Sequence, residues 1–236
     1  MLLEDARLAL CAYGRRAVDD GFVVGSSGNL SVRRDGTASG GRDLVAVTPG
    51  GYPLDRLTPA DCAVVDRATG EIVDGVRPPS SETPMHLALY DTAPDARAIV
   101  HTHAVFGAVV STTRPALPAI HYNVLLFGGR DVRVADYATY GTPELAENVR
   151  AALAGGRTAA LLANHGGVTL GGDLDEAYER TRILEWLCQV YVRACAMGGE
   201  PRLLGPDELA GVERRMGLVG WDEPGRTGAR GVPGPA

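Results

Sequence analysis

Apolar positions recur along the chain with two different periods, and each period predicts a different kind of element. In the opening segment Leu8 and Val18 belong to an apolar stripe at helical spacing, and we expect this helix to end at Gly21. Short β-branched runs between glycine, proline and aspartate predict strands at Leu44 to Thr48 and at Ala63 to Val65. The first third of the chain therefore predicts one helix followed by part of a sheet.

Helix signals and strand signals continue through the middle of the chain. Thr83 is a predicted N-cap, with Pro84 as the first residue of a short helix. Ala98 to His103 reads as a buried strand. Thr142 opens a further helix, which we expect to end at Gly155.

The last third predicts a hairpin, a long helix and an unstructured tail. Ala159 to Thr169 contains two apolar runs separated by a tight turn. Asp173 begins the clearest helix, with Glu176 as its capping-box partner. Residues 225–236 have too few apolar groups to offset the entropy lost on ordering, so we expect disorder there. Helices mixed with short strands favour one layered α/β domain over residues 1–224.

Composition and charge narrow the classes of function. A chain of 236 residues, 45% of them hydrophobic, is long enough for one sizeable core. The net charge of -6 argues against nucleic acid or an anionic membrane as the main partner. The N-terminus lacks the pattern of an export signal, and the four cysteines are scattered. We therefore expect a cytoplasmic protein with reduced thiols.

The strongest chemical signal is the sequence His101-Thr102-His103 at the end of an apolar strand. Side chains two apart on a strand project from the same face, so both imidazoles can reach one metal ion. A catalytic zinc ion takes three protein ligands and keeps one position open, so a third ligand is needed. Taken alone, the pair is equally well read as two satisfied histidines.

The third ligand has three candidates, which are His86, His121 and His165. His165 lies in a glycine-flanked turn between two apolar runs, where a polar ring near the core needs a partner. We choose His165 for this reason.

Glu82 follows Pro79-Ser80-Ser81 and stands directly before a predicted helix. A carboxylate beside a divalent cation can bind the ion in the empty site and take a proton when substrate displaces it. This makes Glu82 the natural general base. Alone, Ser80-Ser81-Glu82 would be an ordinary helix cap.

Three separated loops are rich in small residues whose backbone N–H groups can hold a phosphate without lysine or arginine. For any one of these loops a plain tight turn is the simpler interpretation. Together they are the candidate phosphate-binding residues: Gly28, Asn29, Gly50, Gly51, Ser80 and Ser81.

Seven ordered blocks across residues 20–172 resemble the class II aldolase/adducin family, and most closely its fuculose-phosphate aldolase branch. The resemblance implies a three-layer α/β/α fold around a mainly antiparallel sheet. It also implies a homotetramer with active sites between subunits. The blocks are GSSGNLSVR, TPGG, PPSSETPMH, IVHTHAVFG, PAIHYNVLLFGG, DYATYGT and LLANHGGVTLG.

The resemblance also implies roles for individual residues. His101, His103 and His165 would bind one zinc ion, or another divalent metal, with Glu82 as the fourth ligand at rest and the base in turnover. Tyr122 would come from a neighbouring subunit and handle the aldehyde-side oxygen. The six loop residues would bind the substrate phosphate, and Tyr140 would shape the aldehyde pocket.

The activity implied by the resemblance is reversible cleavage of a ketose 1-phosphate into dihydroxyacetone phosphate and an aldehyde, without an organic cofactor. L-fuculose 1-phosphate or a related deoxy-pentulose or ribulose 1-phosphate would be the substrate. Departures from the branch at Gly50, Thr83, Phe106 and Met216 indicate a changed aldehyde pocket. The alternatives are a ribulose-phosphate 4-epimerase, a methylthioribulose-phosphate dehydratase and a non-catalytic scaffold like adducin.

Overall fold

A nine-stranded sheet forms the centre of the protein in a computed structural model that describes residues 1–36 and 41–217. The strand order is β4-β3-β2-β1-β5-β9-β8-β7-β6, and every neighbouring pair is antiparallel except β7 with β8. The strands are β1 (Asn29–Arg34), β2 (Leu44–Val47), β3 (Ala63–Asp66), β4 (Ile72–Asp74), β5 (Ala98–Thr102), β6 (Ala116–Leu117), β7 (Val132–Ala135), β8 (Ala159–Leu162) and β9 (Gly166–Gly171).

Six α-helices cover the two faces of this sheet. They are α1 (Glu4–Asp19), α2 (Thr83–Thr92), α3 (Val105–Thr113), α4 (Pro143–Ala152), α5 (Leu174–Ala196) and α6 (Pro206–Met216). Helices α2 and α4 pack on one face, while α1, α3, α5 and α6 supply the core of the other. The predicted three-layer α/β/α arrangement with a mainly antiparallel sheet is confirmed.

Alternation along the central strands assigns side chains to the two cores. In β5, Ala98 and Val100 pack on the α1 side, whereas Ile99 points to the α2 and α4 side. His101, two residues after Ile99, therefore shares the α2 side of the sheet. The alternation along β5 thus places a buried histidine near the end of this strand, on the α2 side of the sheet.

Helix α5 is long enough to join two cores. Its first turns bury Ala177 and Tyr178 against α1, and its middle buries Leu184 and Leu187 against α3. Burial of a leucine side chain such as Leu184 or Leu187 contributes about 1.5–3 kcal/mol. The helix fixes the position of α3, which follows directly after His103.

Most predicted helix starts match the structure. The Thr142 hydroxyl caps α4 by accepting a hydrogen bond from the backbone of Leu145 at 3.2 Å. Asp173 caps α5 in the same way, whereas the Glu176 carboxylate accepts from the Gly172 backbone N–H at 2.6 Å. The predicted Thr83 cap is wrong, because Glu82 occupies the N-cap of α2 and Thr83 is already helical.

A second prediction also needs correction. The predicted loop that contains Gly28 and Asn29 extends only as far as Gly28, since Asn29 already begins strand β1. The reason is its pairing, which places Asn29 directly opposite His101 in the sheet.

The described part of the chain contains no helix that is both long and apolar enough to span a membrane. The predicted disorder of residues 225–236 lies outside the described residues, and the domain boundary at residue 224 stays a prediction.

Candidate metal centre and active site

The first two histidines meet at the end of β5. His101 is fully buried, and its Nδ1 lies 3.0 Å from the carbonyl oxygen of Gly167. Because a carbonyl oxygen only accepts, Nδ1 of His101 carries a hydrogen, and Nε2 is the ring atom that faces the other residues of the site. His103 follows the strand, and its Nε2 lies 3.2 Å from that of His101.

The third histidine approaches from the hairpin between β8 and β9. Asn164 takes the left-handed conformation, with φ of 55°, and so turns the chain. The His165 ring then lies 4.8 Å from the ring of His101 and 4.7 Å from that of His103, measured between centroids. Gly166 is required beside it, since a Cβ there would collide with the Thr102 carbonyl oxygen.

Glu82, at the N-cap of helix α2, is the fourth member of the group. One carboxylate oxygen, Oε2, lies 3.1 Å from Nε2 of His101, and the other, Oε1, lies 3.5 Å from Nε2 of His165. The Asn29 amide donates a hydrogen bond to Oε2 at 2.8 Å. The Glu82 backbone N–H donates to the Ser80 hydroxyl at 3.2 Å, which holds the start of α2 in place.

The electrostatics of this group favour a bound cation. Burial lowers the pKa of His103 and of His165 to about 4, so both rings are neutral near pH 7. Burial alone would raise the pKa of Glu82, but His101, His165 and the hydrogen bond from Asn29 hold it below its ordinary value. The site therefore presents an ionised carboxylate to a cation, beside two rings, His103 and His165, that are neutral near pH 7.

A divalent metal ion fits these four side chains. One ligand atom from each of Glu82, His101, His103 and His165 lies within 4.8 Å of all the others. The Glu82 Oε1 atom is buried and has no hydrogen-bond partner among the described residues. A buried carboxylate oxygen without a donor is costly, and a cation would satisfy it.

The other two histidines lie apart from the cluster. His86 is fully buried on α2 and bonds Asn29 and Ser31 through its two ring nitrogens. His121 stacks on Tyr122, with ring centroids 4.1 Å apart, and caps a short 3-10 helix. Of the three candidates for third ligand, His165 is the one that joins the His101 and His103 pair.

The predicted phosphate loops adjoin this group. The loops around Gly50 and Ser80 pair through a bridge between Pro49 and Pro79, and a Cβ built on Gly50 would lie 3.4 Å from the Ser80 Cα. Gly28, with φ of 75°, leaves no room for a Cβ beside the His101 carbonyl oxygen.

The residues of the predicted phosphate loops differ in how far a ligand could reach them. Ser81, Gly50 and Gly51 are exposed, whereas Gly28 and Asn29 are buried. The Asn29 amide makes hydrogen bonds on both sides, with Glu82 and His86.

The two predicted tyrosines are exposed. Tyr122, 46% exposed, starts the 3-10 helix Tyr122–Phe127. Tyr140 is 67% exposed and precedes Gly141, where a Cβ would lie 2.9 Å from the Ser81 carbonyl oxygen. The segment with Tyr140 therefore packs beside the predicted phosphate-binding residue Ser81.

Sequence reasoning did not identify the residues that hold the site residues in place through hydrogen bonds. The Glu185 carboxylate on α5 accepts from the backbone N–H groups of Phe106 and Gly107, each at 2.8 Å, and so fixes the first turn of α3 after His103. His86 and Tyr90 lie four and eight residues after Glu82. That helical spacing of polar groups was the available signal.

Comparison with known proteins identifies the family. Residues 8–192 match the model of the family described as the class II aldolase and adducin N-terminal domain. The chain belongs to this family. Several named aldolases are similar to it over most of its length.

Two named relatives come from bacteria. A 5-deoxy-D-ribulose 1-phosphate aldolase of Bacillus thuringiensis serovar kurstaki is 35% identical over 220 residues, which is 92% of this chain and 97% of the relative. A 5-methylthioribulose-1-phosphate/5-deoxyribulose-1-phosphate aldolase of Rhodospirillum rubrum is 37% identical over 214 residues, 91% of this chain and 92% of the relative.

A solved structure supports the same assignment to this family. An L-fuculose 1-phosphate aldolase superposes with a TM-score of 0.81 and is 38% identical, covering 89% of this chain and 95% of the other.

Proposed function

We propose that this protein is a metal-dependent aldolase that reversibly cleaves a ketose 1-phosphate into dihydroxyacetone phosphate and an aldehyde. The observation that carries the proposal is the convergence of three imidazoles and one carboxylate, one oxygen of which lacks a hydrogen bond among the described residues. The two relatives named for deoxyribulose 1-phosphate cleavage favour a 5-deoxy-pentulose 1-phosphate, with L-fuculose 1-phosphate as the other candidate.

His101, His103 and His165 would hold the metal, and Glu82 would be the fourth ligand in the resting enzyme. Three nitrogen ligands with one carboxylate suit zinc, which we propose as the ion. When bound, a divalent cation supplies stabilisation of the negative charge that develops on the substrate oxygens.

In the direction of synthesis, ionised Glu82 takes a proton from the hydroxymethyl carbon of dihydroxyacetone phosphate. The resulting enediolate carbon attacks the aldehyde and forms the new carbon-carbon bond. Tyr122 donates the proton that the aldehyde oxygen gains. Glu82 then releases its proton to solvent and Tyr122 regains one from solvent, so both groups return to their starting states. Cleavage reverses these steps, and no net proton is consumed.

The phosphate would lie against the loops of Gly28, Gly50, Gly51, Ser80 and Ser81, beside Asn29. Exposed Gly50, Gly51 and Ser81 offer backbone N–H groups, which suit an anion in a protein of net charge -6. Tyr140 would border the aldehyde, because its segment packs on Ser81.

We further propose that the enzyme is a homotetramer in which Tyr122 serves the site of a neighbouring subunit. The exposure of Tyr122 and Tyr140 supports this, since large aromatic side chains at a surface are typical of subunit contacts. Sedimentation equilibrium should give a mass of about 99 kDa, four times the chain mass of 24.7 kDa. A monomer would refute the shared site.

The activity itself is tested by incubating the zinc-loaded protein with 5-deoxyribulose 1-phosphate and, separately, with L-fuculose 1-phosphate. Dihydroxyacetone phosphate released is measured by NADH-linked reduction. We expect metal-dependent release from at least one substrate, abolished by a chelator. Epimerisation of ribulose 5-phosphate or dehydration of methylthioribulose 1-phosphate without release would contradict the proposal.

A further inference from the structure

Five buried polar side chains form a ladder between strand β1 and helix α2. Glu82, His86 and Tyr90 recur every four residues and therefore share one face of the helix. Asn29 and Ser31 are two apart and share one face of the strand. All five are buried. The two periods interleave, so strand and helix side chains alternate along the ladder.

Consecutive members of the ladder are hydrogen bonded. Asn29 Nδ2 lies 2.8 Å from Glu82 Oε2, and Asn29 Oδ1 lies 2.6 Å from His86 Nε2. His86 Nδ1 lies 2.6 Å from the Ser31 hydroxyl, which lies 2.8 Å from the Tyr90 hydroxyl. The Tyr90 hydroxyl also lies 3.1 Å from the Ser31 carbonyl oxygen.

The direction of these bonds can be worked out from the Glu82 end. An ionised carboxylate only accepts, so the Asn29 amide must present its NH2 group to Glu82. The Asn29 carbonyl oxygen then faces His86, and it also only accepts. The hydrogen between Asn29 and His86 must therefore be carried by His86 Nε2.

The direction of the hydrogen bonds at the Tyr90 end of the ladder follows from the charge of His86. The ring is fully buried, and burial lowers its pKa to about 3, so it is neutral near pH 7. A neutral imidazole with a hydrogen on Nε2 has a lone pair on Nδ1. The Ser31 hydroxyl must donate to that lone pair, and the Tyr90 hydroxyl donates in turn to Ser31. Every hydrogen in the ladder points towards Glu82.

We propose that His86 is a positioning residue for the catalytic base, holding the Asn29 amide so that it donates to Oε2 of Glu82 and leaves Oε1 free for the metal and for proton transfer. The inference rests on the proposed function only in its assignment of Glu82 as the base. With the opposite tautomer, the Asn29 amide would turn over and set its carbonyl oxygen against the Glu82 carboxylate. Two acceptors would then face each other in a buried site, which is costly.

The tautomer is tested directly by nitrogen-15 NMR of the protein labelled at histidine, recorded at pH 7 on the protein as purified. His86 is assigned from the signal that disappears in His86→Gln. We expect a neutral ring with its hydrogen on Nε2. A ring with its hydrogen on Nδ1, or a charged ring, would overturn the proposal. This NMR measurement does not require aldolase activity, so its outcome is independent of whether the proposed function is correct.

The role in positioning is tested by a pair of variants that differ in one donor. His86→Gln places an N–H group near the position of Nε2, whereas His86→Leu has no donor. We expect His86→Leu to lose about 10–100-fold in kcat, the range seen for residues that orient a metal-site group, with KM changed less than about twofold. His86→Gln should recover most of the loss, and both should retain bound metal. Equal kcat in the two variants would overturn the proposal.

Two further variants keep the test decisive if His86→Leu does not fold. Tyr90→Phe leaves Ser31 able to donate to His86, so the His86 tautomer and kcat should stay as in the parent protein. Ser31→Ala removes that donor and leaves the buried Nδ1 lone pair of His86 without a partner, so kcat should fall, while the Asn29 carbonyl oxygen keeps the ring hydrogen on Nε2. An unchanged kcat, or a ring hydrogen on Nδ1, in Ser31→Ala would contradict the proposed ladder.

Discussion

The proposed metal ligands and the proposed aldehyde-side tyrosines differ in how far other residues of the same chain fix their positions. Glu82 and His101 are buried, and each is fixed by a hydrogen bond to a second residue, Asn29 or Gly167. Tyr122 and Tyr140 stand mostly exposed at the surface. One half of the proposed site is thus ordered within a single chain, and the other half is open to whatever lies beside that chain.

This difference indicates that the buried residues would carry out proton transfer and that the exposed residues would determine which aldehyde is accepted. Metal binding and proton transfer need geometry held to a fraction of an ångström, which a packed core with supporting hydrogen bonds supplies. Recognition of the aldehyde can be left to exposed aromatic groups. We expect changes on the buried side to abolish catalysis and changes on the open side to alter individual steps.

The largest effect should come from His103→Ala on the buried side. Loss of one of three imidazoles removes a metal ligand, so bound metal should fall from about one ion per chain to near zero. Activity should drop at least about 10²-fold. Metal content is measured by mass spectrometry of the elements, with His121→Ala as the matched histidine control. Retention of metal by His103→Ala would contradict the assigned ligand set.

Tyr122→Phe tests the open side. The hydroxyl is needed when the carbon-carbon bond is made or broken, so cleavage should slow about 10²-fold. Exchange of the carbon-bound proton of dihydroxyacetone phosphate should stay within a few-fold, because it involves no aldehyde.

The control for this variant is Tyr137→Phe, since Tyr137 is a second exposed tyrosine, at 64% exposure. It should leave both rates unchanged. If Tyr122→Phe slowed exchange and cleavage equally, its role in handling the aldehyde oxygen would be wrong.

The stability of the buried side should depend on pH through His86. Its ordinary pKa is about 6.5 and its pKa in the folded protein is about 3, so between these values only the unfolded chain binds the proton. The free energy of unfolding therefore falls as the pH drops below 6.5. By pH 5 the parent protein should lose about 2 kcal/mol relative to His86→Gln.

Urea unfolding of the metal-stripped proteins at pH 7, 6 and 5 measures this difference. Comparison with His86→Gln is needed because burial also lowers the pKa of His103 and His165, which acts in the same direction. Parallel curves for the two proteins would show that His86 does not change its protonation on unfolding.

The smallest expected effect is a tighter binding of substrate when Gly50, in a proposed phosphate loop, is replaced by serine. A Cβ on Gly50 would make only ordinary contacts, at 3.4 Å to Ser80 and 3.6 Å to the Ser81 backbone nitrogen. Gly50→Ser should therefore be tolerated and add a hydroxyl donor to the phosphate, lowering KM about three- to tenfold.

Gly51→Ser is the matched control, because Gly51 has φ of 66° and a side chain there is strained. That variant should be less stable by about 1 kcal/mol and gain no affinity. Equal KM for Gly50→Ser and the parent enzyme would remove Gly50 from the proposed phosphate site.

Much of this arrangement follows from local pattern. The spacing of His101 and His103 on a strand, and the position of His165 in a tight turn, predict three imidazoles that the structure brings together. The layered fold follows from the alternation of helices and strands. These features depend on neighbours in the sequence, which explains why they could be predicted.

Features that depend on contacts between distant segments could not be predicted in the same way. The small residues before Asn29 predict a loop there, yet pairing with His101 makes Asn29 the first residue of a strand. Thr83 has the residue type of a helix cap, yet the chain starts α2 one residue earlier. The link from Asn29 to His86 joins residues 57 positions apart, and no local period shows it.

The central claim is that Glu82, beside a metal held by three histidines, moves the carbon-bound proton. The most direct measurement follows loss of that proton by NMR when zinc-loaded protein is mixed with dihydroxyacetone phosphate in heavy water. The account predicts stereospecific exchange that stops in chelated protein and slows at least about 10²-fold in Glu82→Gln, which should keep much of its metal. Exchange at the parent rate in Glu82→Gln, or undiminished after removal of the metal, would contradict it.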